Sequence, residues 1–360
     1  MSLINRPNLR LLPEWQQQSA VLITWPHQYS GWTSSLGSSH SSDISSPIEA
    51  FYIKLAATVS HYQIIAILCY DQAHQEHIKQ LLQTKALNPD NVRFFIVPSN
   101  DTWIRDYGPL SVISNQNTLQ LLDFEFNAWG NKYQSKHDNL VNQHLQQQHA
   151  FQQTPLKSIP WVLEGGSIDT DGHGTLLTTS SCLLAKQRNN EQTKTSVEKQ
   201  LQTYLGVTKI LWLEHGSLEG DDTDGHVDTL ARFTDPNTIC YVSCNQPEDP
   251  HYSGLKKMEQ ALKSFRNPTG KPYRLIPLPW PKPKTNQNGY RLPATYANFL
   301  IINNAVLVPT YDDPADHKAI DIFKQLFPQR QIIALNCLNL IEQFGSLHCA
   351  TMQLPEGVMV

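Results

Sequence analysis

With 360 residues the chain can bury a large core, as one big domain or two. Lys and Arg total 28 against 32 Asp and Glu, a net charge of −4 with no basic run, which argues against a nucleic-acid partner. No apolar stretch approaches the ~20 residues of a membrane span, and Met1–Pro13 lacks the pattern of a secretory signal, so a cytoplasmic location away from membranes is expected.

In chain order, Val21–Thr24 and Ile64–Cys69 are apolar runs of strand length. Between them lie a Ser-rich loop at Ser34–Ser46 and an amphipathic helix near Ile48–Val59. A helix over Ala73–Leu82 and a strand over Val92–Val97 follow. Four hairpin-like segments come next: Leu119–Phe126, Ile168–Asp169 with Thr175–Thr178, His226–Phe233 with Thr238–Ser243, and Tyr296–Ile302 with Ala305–Val308. Each precedes a helical pattern, at His137–His149, Lys194–Leu205, Ser253–Ser264 and Pro314–Leu326. Each helix precedes another strand, at Ile159–Leu163, Thr208–Leu213, Tyr273–Leu278 and Gln331–Leu335. An open doubly wound sheet alternates single strands with helices, so this order fits it poorly. Five ββαβ modules closed into an α/β propeller explain the order better, as a single domain over residues 1–360. The Pro-rich run Leu275–Pro283 is then a stiff loop inside that domain.

Six cysteines are too few for a disulfide scaffold, and Cys69, Cys240 and Cys337 sit in apolar runs as inert thiols. Cys349 differs, because it ends the polar segment Gly345-Ser346-Leu347-His348-Cys349. Other polar segments follow the ends of other modules and would meet it at the ring's centre. Glu164 heads Glu164-Gly165-Gly166, and His226 and Asp228 alternate by two, so on a strand both would face one way. Arg105-Asp106 lies in a loop that closes with Tyr107-Gly108-Pro109.

Cys349 supplies a nucleophile, His226 an acid/base, and Glu164 a carboxylate to orient the imidazole. Asp106 and Asp228 are then left over. Carboxylates beside a thiol suppress its reactive thiolate, so their presence makes sense when the substrate itself is cationic. A guanidinium is planar and forked, and two carboxylates grip its N–H groups while sulfur attacks its carbon. Blander readings exist for each piece: a buried structural thiol, a polar strand face, a surface ion pair, a turn. A zinc site is disfavoured because no His-x-His or His-x-x-x-His pair accompanies His226, and the adjacent His348-Cys349 is poor spacing for chelating one ion.

Across nearly the whole chain, the sequence resembles the agmatine deiminases of the Porphyromonas-type peptidylarginine deiminase family, in the guanidine-modifying pentein superfamily. The segments that carry the resemblance are Asn100–Pro109, Phe126–Gly130, Leu163–Ser167, Gly220–Asp228 and Tyr296–Phe299, with Glu14-Trp15 and His348-Cys349 near the termini. The resemblance implies a five-bladed α/β propeller and a hydrolase that converts agmatine to N-carbamoylputrescine and ammonia, without metal or organic cofactor. It implies Cys349 as nucleophile, His226 as acid/base, Glu164 as its support, and Asp106 and Asp228 on the guanidinium. Two positions depart from the family pattern. Phe344-Gly345-Ser346-Leu347 stands where Gly-Gly-Gly-Asn-Ile is common, and Asp224 stands where Asn is common.

Agmatine ends in a second cation. Asp222 is the expected partner of that ammonium, and Trp103 or Trp129 would pack along the methylenes. Free or peptidyl arginine is the alternative substrate of the same class. A non-catalytic pentein-fold binding protein is the alternative of another class. Self-association into a homo-oligomer is compatible with either.

Overall fold

The computed structural model describes residues 9–32, 46–83 and 85–360. The Ser-rich loop expected from Ser34 falls outside these residues up to position 45, as do the first eight residues of the segment read for a signal.

Ile64–Cys69, six apolar residues in a row, forms a strand buried along its whole length. Such a strand needs cover on both faces and partners on both edges. It pairs in parallel with Gln18–Thr24 on one side and Val92–Ile96 on the other. The helices Pro47–Ser60 and Gln72–Leu82 make the two crossovers that parallel pairing requires. The first starts in a capping box between Ser46 and Glu49. A fourth strand, Met352–Pro355, pairs antiparallel with Gln18–Thr24, so the chain's end completes the sheet that its beginning starts.

The other four units share one pattern: an antiparallel hairpin, a helix, then a strand parallel to the hairpin's second arm. The first comprises Leu110–Ser114, Leu119–Glu125, the helix Val141–Gln147 and Leu156–Val162. Ile168–Thr170, Thr175–Thr179, the helix Lys194–Leu205 and Lys209–Leu213 make the second. The third is Ala231–Asp235, Thr238–Val242, the helix Tyr252–Ser264 and Arg274–Leu278. The last is Leu300–Ile302, Ala305–Thr310, the helix Ala315–Leu326 and Gln331–Asn336. Leu9–Leu11 extends the first of these sheets. The helices bury one stripe each, such as Leu255, Met258 and Leu262, or Ala319 and Phe323.

Differences from the expected elements cluster where the backbone turns toward the site. His226–Phe233 is not one strand: Val227–Thr229 is a single 3-10 turn, and the strand starts at Ala231. Asp224 and Gly225, at φ 65° and 93°, bend the chain just before it, and Thr229 Oγ1 donates to the His226 carbonyl at 2.8 Å. Arg105 and Asp106 belong to a one-turn helix, Ile104–Tyr107, rather than a loop. The helix expected over His137–His149 opens with a 3-10 turn at Asp138–Leu140. After the Pro-rich run, a two-residue hairpin forms between Lys284–Thr285 and Arg291–Leu292. Among the described residues no helix is long and apolar enough to cross a membrane.

Gly206 ends Lys194–Leu205 in a left-handed conformation, φ 66°, and a Cβ there would lie 1.7 Å from the Leu9 carbonyl oxygen. Gly206→Ala is therefore expected to destabilise the protein by about 1–3 kcal/mol, read as a lower urea midpoint, through strain and displacement of Leu9–Leu11. An unchanged midpoint would mean that the N-terminal strand is not held against this helix.

Candidate active site

Four segments deliver the site, and each follows the last parallel strand of a unit. Asp106 comes after Val92–Ile96, Glu164 after Leu156–Val162, His226 and Asp228 after Lys209–Leu213, and Cys349 after Gln331–Asn336. All five side chains are buried. The structure brings them together around Gly166. A Cβ on that residue would lie 2.6 Å from His226 Nδ1, 2.8 Å from Asp106 Oδ1 and 3.1 Å from Asp228 Oδ2. Only glycine leaves that space open.

Glu164 sets the imidazole. Its Oε2 lies 2.9 Å from His226 Nε2, and Arg188 Nε donates to both carboxylate oxygens at 2.8 and 2.9 Å. Burial pushes Glu164 up, but the His226 hydrogen bond and the Arg188 charge outweigh it and hold the carboxyl below its ordinary value. Nε2 therefore carries a proton, and Nδ1 is the ring atom left without a hydrogen-bond partner, 3.5 Å from Asp106 Oδ1. Burial pushes His226 down, yet Asp106, Cys182 and Glu164 outweigh it and hold the imidazole well above its usual range.

Asp106 accepts the Gly166 N–H on Oδ1 and the Trp129 Nε1–H on Oδ2, each at 2.9 Å. Burial, against the pull of His226, takes its pKa up to about 6. Asp228 accepts from His348 Nδ1 at 2.8 Å on Oδ2, while its buried Oδ1 has no hydrogen-bond partner among the described residues. Burial raises Asp228 as well, but His348 outweighs it and keeps the carboxylate ionised. The Cys349 sulfur lies 3.6 Å from Asp228 Oδ2 and accepts from Asn298 Nδ2 at 3.2 Å. Burial, Asp228 and Asp106 all push the thiol well above its ordinary pKa.

Behind this layer lies a second one that no motif in the sequence marked for a role. His348 faces Glu14 through Nε2 at 2.6 Å and Asp228 through Nδ1 at 2.8 Å, one carboxylate on each ring nitrogen. Glu14 is shared with Arg232 at 2.5 Å and Arg105 at 3.3 Å. Arg105 thus turns away from its neighbour Asp106 and is buried rather than a surface ion pair. Asn298 orients the sulfur, with its amide fixed by the His348 N–H at 2.8 Å. Glu14 and Asn298 lie within segments that carried the family resemblance, which was the available signal; Arg188, in a polar stretch, had none.

The sulfur opens onto a cavity of about 280 Å³ whose lining includes Asp106, Cys349, Asp222, Trp103 and Trp129. Asp222 is partly exposed at its mouth, bonded to Lys132 Nζ at 3.1 Å and the Tyr133 hydroxyl at 2.6 Å. Trp129 reaches Asp106 from a left-handed turn, with Ala128, Trp129, Gly130 and Asn131 at φ 50°, 55°, 90° and 64°. Left-handed non-glycine residues cost roughly 1–3 kcal/mol each, a strain found where a side chain must be placed for function. Glu164, Cys182 and His226 also bring ligand atoms within 4.8 Å of one another, the spacing of a three-ligand metal site. The Arg188 guanidinium already grips Glu164 there, and its charge opposes a second cation at that carboxylate.

Because the thiol is raised, Cys349 in the substrate-free protein is protonated at neutral pH. Its alkylation by iodoacetamide is expected to accelerate with rising pH through and beyond pH 9, without a plateau below it. A rate already level below pH 7 would mean a stabilised thiolate and contradict this electrostatic picture.

Residues 10–355 match the Porphyromonas-type peptidyl-arginine deiminase family. A protein of Vibrio parahaemolyticus provisionally named agmatine deiminase is 33% identical, over 95% of each chain. A solved structure from Porphyromonas gingivalis, provisionally named an arginine deiminase, is 42% identical and superposes at a TM-score of 0.90, covering 98% of this chain and 100% of that one. A cysteine-to-serine variant of C. jejuni agmatine deiminase, solved with substrate bound, is 39% identical at a TM-score of 0.87, covering 97% of both chains. The α/β fold is that of these structures, and the chain belongs to the Porphyromonas-type peptidyl-arginine deiminase family.

Proposed function

We propose that this protein hydrolyses agmatine to N-carbamoylputrescine and ammonia through a covalent amidino-thioether on Cys349. The observation that carries this reading is the convergence of His226 Nδ1, Asp106 Oδ1 and Asp228 Oδ2 on the space beside Gly166, where His226 Nδ1 and Asp228 Oδ1 are buried without partners. Buried polar atoms left unpaired are costly, about 1–3 kcal/mol each, and a guanidinium with several N–H donors satisfies the carboxylates.

Asp106 and Asp228 grip the guanidinium, whose charge offsets the two carboxylates that raise the Cys349 thiol. As the cation binds, the thiol gives its proton to solvent, and the thiolate attacks the guanidinium carbon, held in line by Asn298 and Asp228. His226, protonated in the free protein, gives its Nδ1 proton to the departing nitrogen, and ammonia leaves. The imidazole then takes one proton from water as the water attacks the amidino carbon, and collapse breaks the C–S bond, the remaining hydroxyl proton passing to sulfur to restore the thiol as the ureido product leaves. Glu164, clamped by Arg188, holds the ring in place through both steps.

Agmatine as substrate is supported by the relatives named for it, including the substrate-bound C. jejuni structure. Free arginine is the second reading, favoured by the name of the P. gingivalis relative. The ββαβ units close into one five-bladed propeller over residues 1–360, a reading supported by the pairing of Met352–Pro355 with Gln18–Thr24. A reducing compartment, the cytoplasm, suits six cysteines that are all unpaired.

Ammonia release measured side by side on agmatine, arginine and a blocked arginyl peptide tests the assignment, with agmatine expected to be fastest. Asp106→Asn or Asp228→Asn should lower kcat/KM at least about a hundredfold, since removing one partner of a desolvated charge pair costs roughly 3–5 kcal/mol. Equal rates on arginine would overturn the substrate, and near-normal activity in both variants would overturn the roles of the carboxylates.

A further inference from the structure

The loop from Glu214 to Gly225 contains no helix or strand, yet it sets where His226 enters the site. Its last residues are shaped from within. Asp221 accepts the Gly225 N–H on Oδ2 at 2.7 Å and the Thr223 N–H on Oδ1 at 3.1 Å, and Thr223 Oγ1 accepts the His226 N–H at 3.0 Å. Arg188 and Thr179 hold the far end of the loop by donating to the Thr223 and Gly225 carbonyls at 2.8 and 2.6 Å. The near end is held by a cluster of side chains that the reaction does not use.

The centre of that cluster is His251, which is buried. A backbone N–H can only donate, so the 2.8 Å contact from the Glu219 N–H makes His251 Nε2 the acceptor. The ring's proton is then on Nδ1, 2.7 Å from Asp249 Oδ1. Asp249 is fixed in turn, because Trp280 Nε1 and Arg291 Nη2 each donate to its Oδ2 at 2.9 Å. Burial pushes Asp249 up, but Arg291 and these hydrogen bonds outweigh it and hold the carboxyl well below its ordinary range. The Trp280 ring packs 5.2 Å from the His251 ring, and the Arg291 guanidinium lies 5.4 Å from the Trp280 ring. Arg291 also comes within 3.9 Å of the Glu219 carboxylate. Trp280 belongs to the Pro-rich run and Arg291 to the short hairpin after it, so both of those segments converge on the residue that holds Glu219.

We propose that His251 is a positioning residue for His226: by accepting the Glu219 N–H it fixes the start of the Asp221 turn that delivers the imidazole to the site. This assignment rests on the acid/base role of His226 in the reaction proposed above.

Two substitutions separate the two ends of the His251 ring. His251→Asn keeps a donor for Asp249 but is too short to reach the Glu219 N–H, whereas His251→Gln puts an amide oxygen near the place of Nε2. Each variant is assayed for ammonia release at saturating agmatine and for alkylation of Cys349 by iodoacetamide without substrate. In His251→Asn kcat is expected to fall about tenfold or more, since misplacing a catalytic group by about 1 Å costs up to about a hundredfold. In His251→Gln it should return close to the wild-type value. Alkylation should be unchanged in both, because His348 holds Asp228 beside the sulfur independently of this loop, and an unchanged rate also reports that the variant is folded. A wild-type kcat in His251→Asn, or as large a loss in His251→Gln as in His251→Asn, would overturn the assignment and leave the reaction standing. No ammonia from agmatine with the wild type would overturn the reading on which it rests.

Discussion

The constraint on which the site depends is the burial of the Cys349 sulfur beside two carboxylates. Burial alone raises a thiol pKa, and Asp228 and Asp106 raise it further, so the empty site holds a poor nucleophile. A cysteine hydrolase acting on neutral carbonyls would need the opposite field. On the proposed mechanism, a substrate that carries its own positive charge offsets that field on arrival and makes the sulfur reactive. The charge that is recognised would then activate the group that attacks it, which would favour guanidinium over neutral amides by chemistry rather than by shape alone.

Holding so many charges away from water is expensive unless each is paired. Glu14 is the hub on one side, meeting Arg105, Arg232 and His348, and these partners outweigh the burial that would otherwise raise it. Arg232 continues to Asp169 at 2.9 Å, and His348 continues to Asp228. On the other side Arg188 bridges Glu164 to Asp224, linking the imidazole's support to the mouth of the cavity. Among the described residues Cys349 has no such cation within hydrogen-bond reach, and its side-chain hydrogen-bond neighbours are Asp228 and Asn298. Cations balance Glu14 and Glu164 and are withheld from the sulfur.

Much of this was legible in the sequence because the site's residues sit in short polar segments set against apolar strands. Cys349, His226, Glu164, Asp106 and Asp228 stand out on that ground, and the structure gathers all five. The alternation of His226 and Asp228 suggested a strand, and a 3-10 turn brings them to the site instead. What could not be read depends on contacts distant in sequence. One of the two partners of Gln18–Thr24 is Met352–Pro355, more than 300 residues away, and no local pattern announces it. Arg188 looks like any surface arginine until Glu164 and Asp224 close on it. The ion pair between Asp222 and Lys132 was equally illegible, because Lys132 comes from another segment altogether.

The central claim is that sulfur becomes covalently bonded to the guanidinium carbon. Mass spectrometry of the protein quenched during turnover of agmatine, followed by peptide mapping, addresses it most directly. An amidino adduct on the peptide containing Cys349, absent before substrate and lost as substrate is exhausted, is the expected result. Full turnover with no adduct on that peptide, or with the adduct on Cys182 beside His226, would contradict the account.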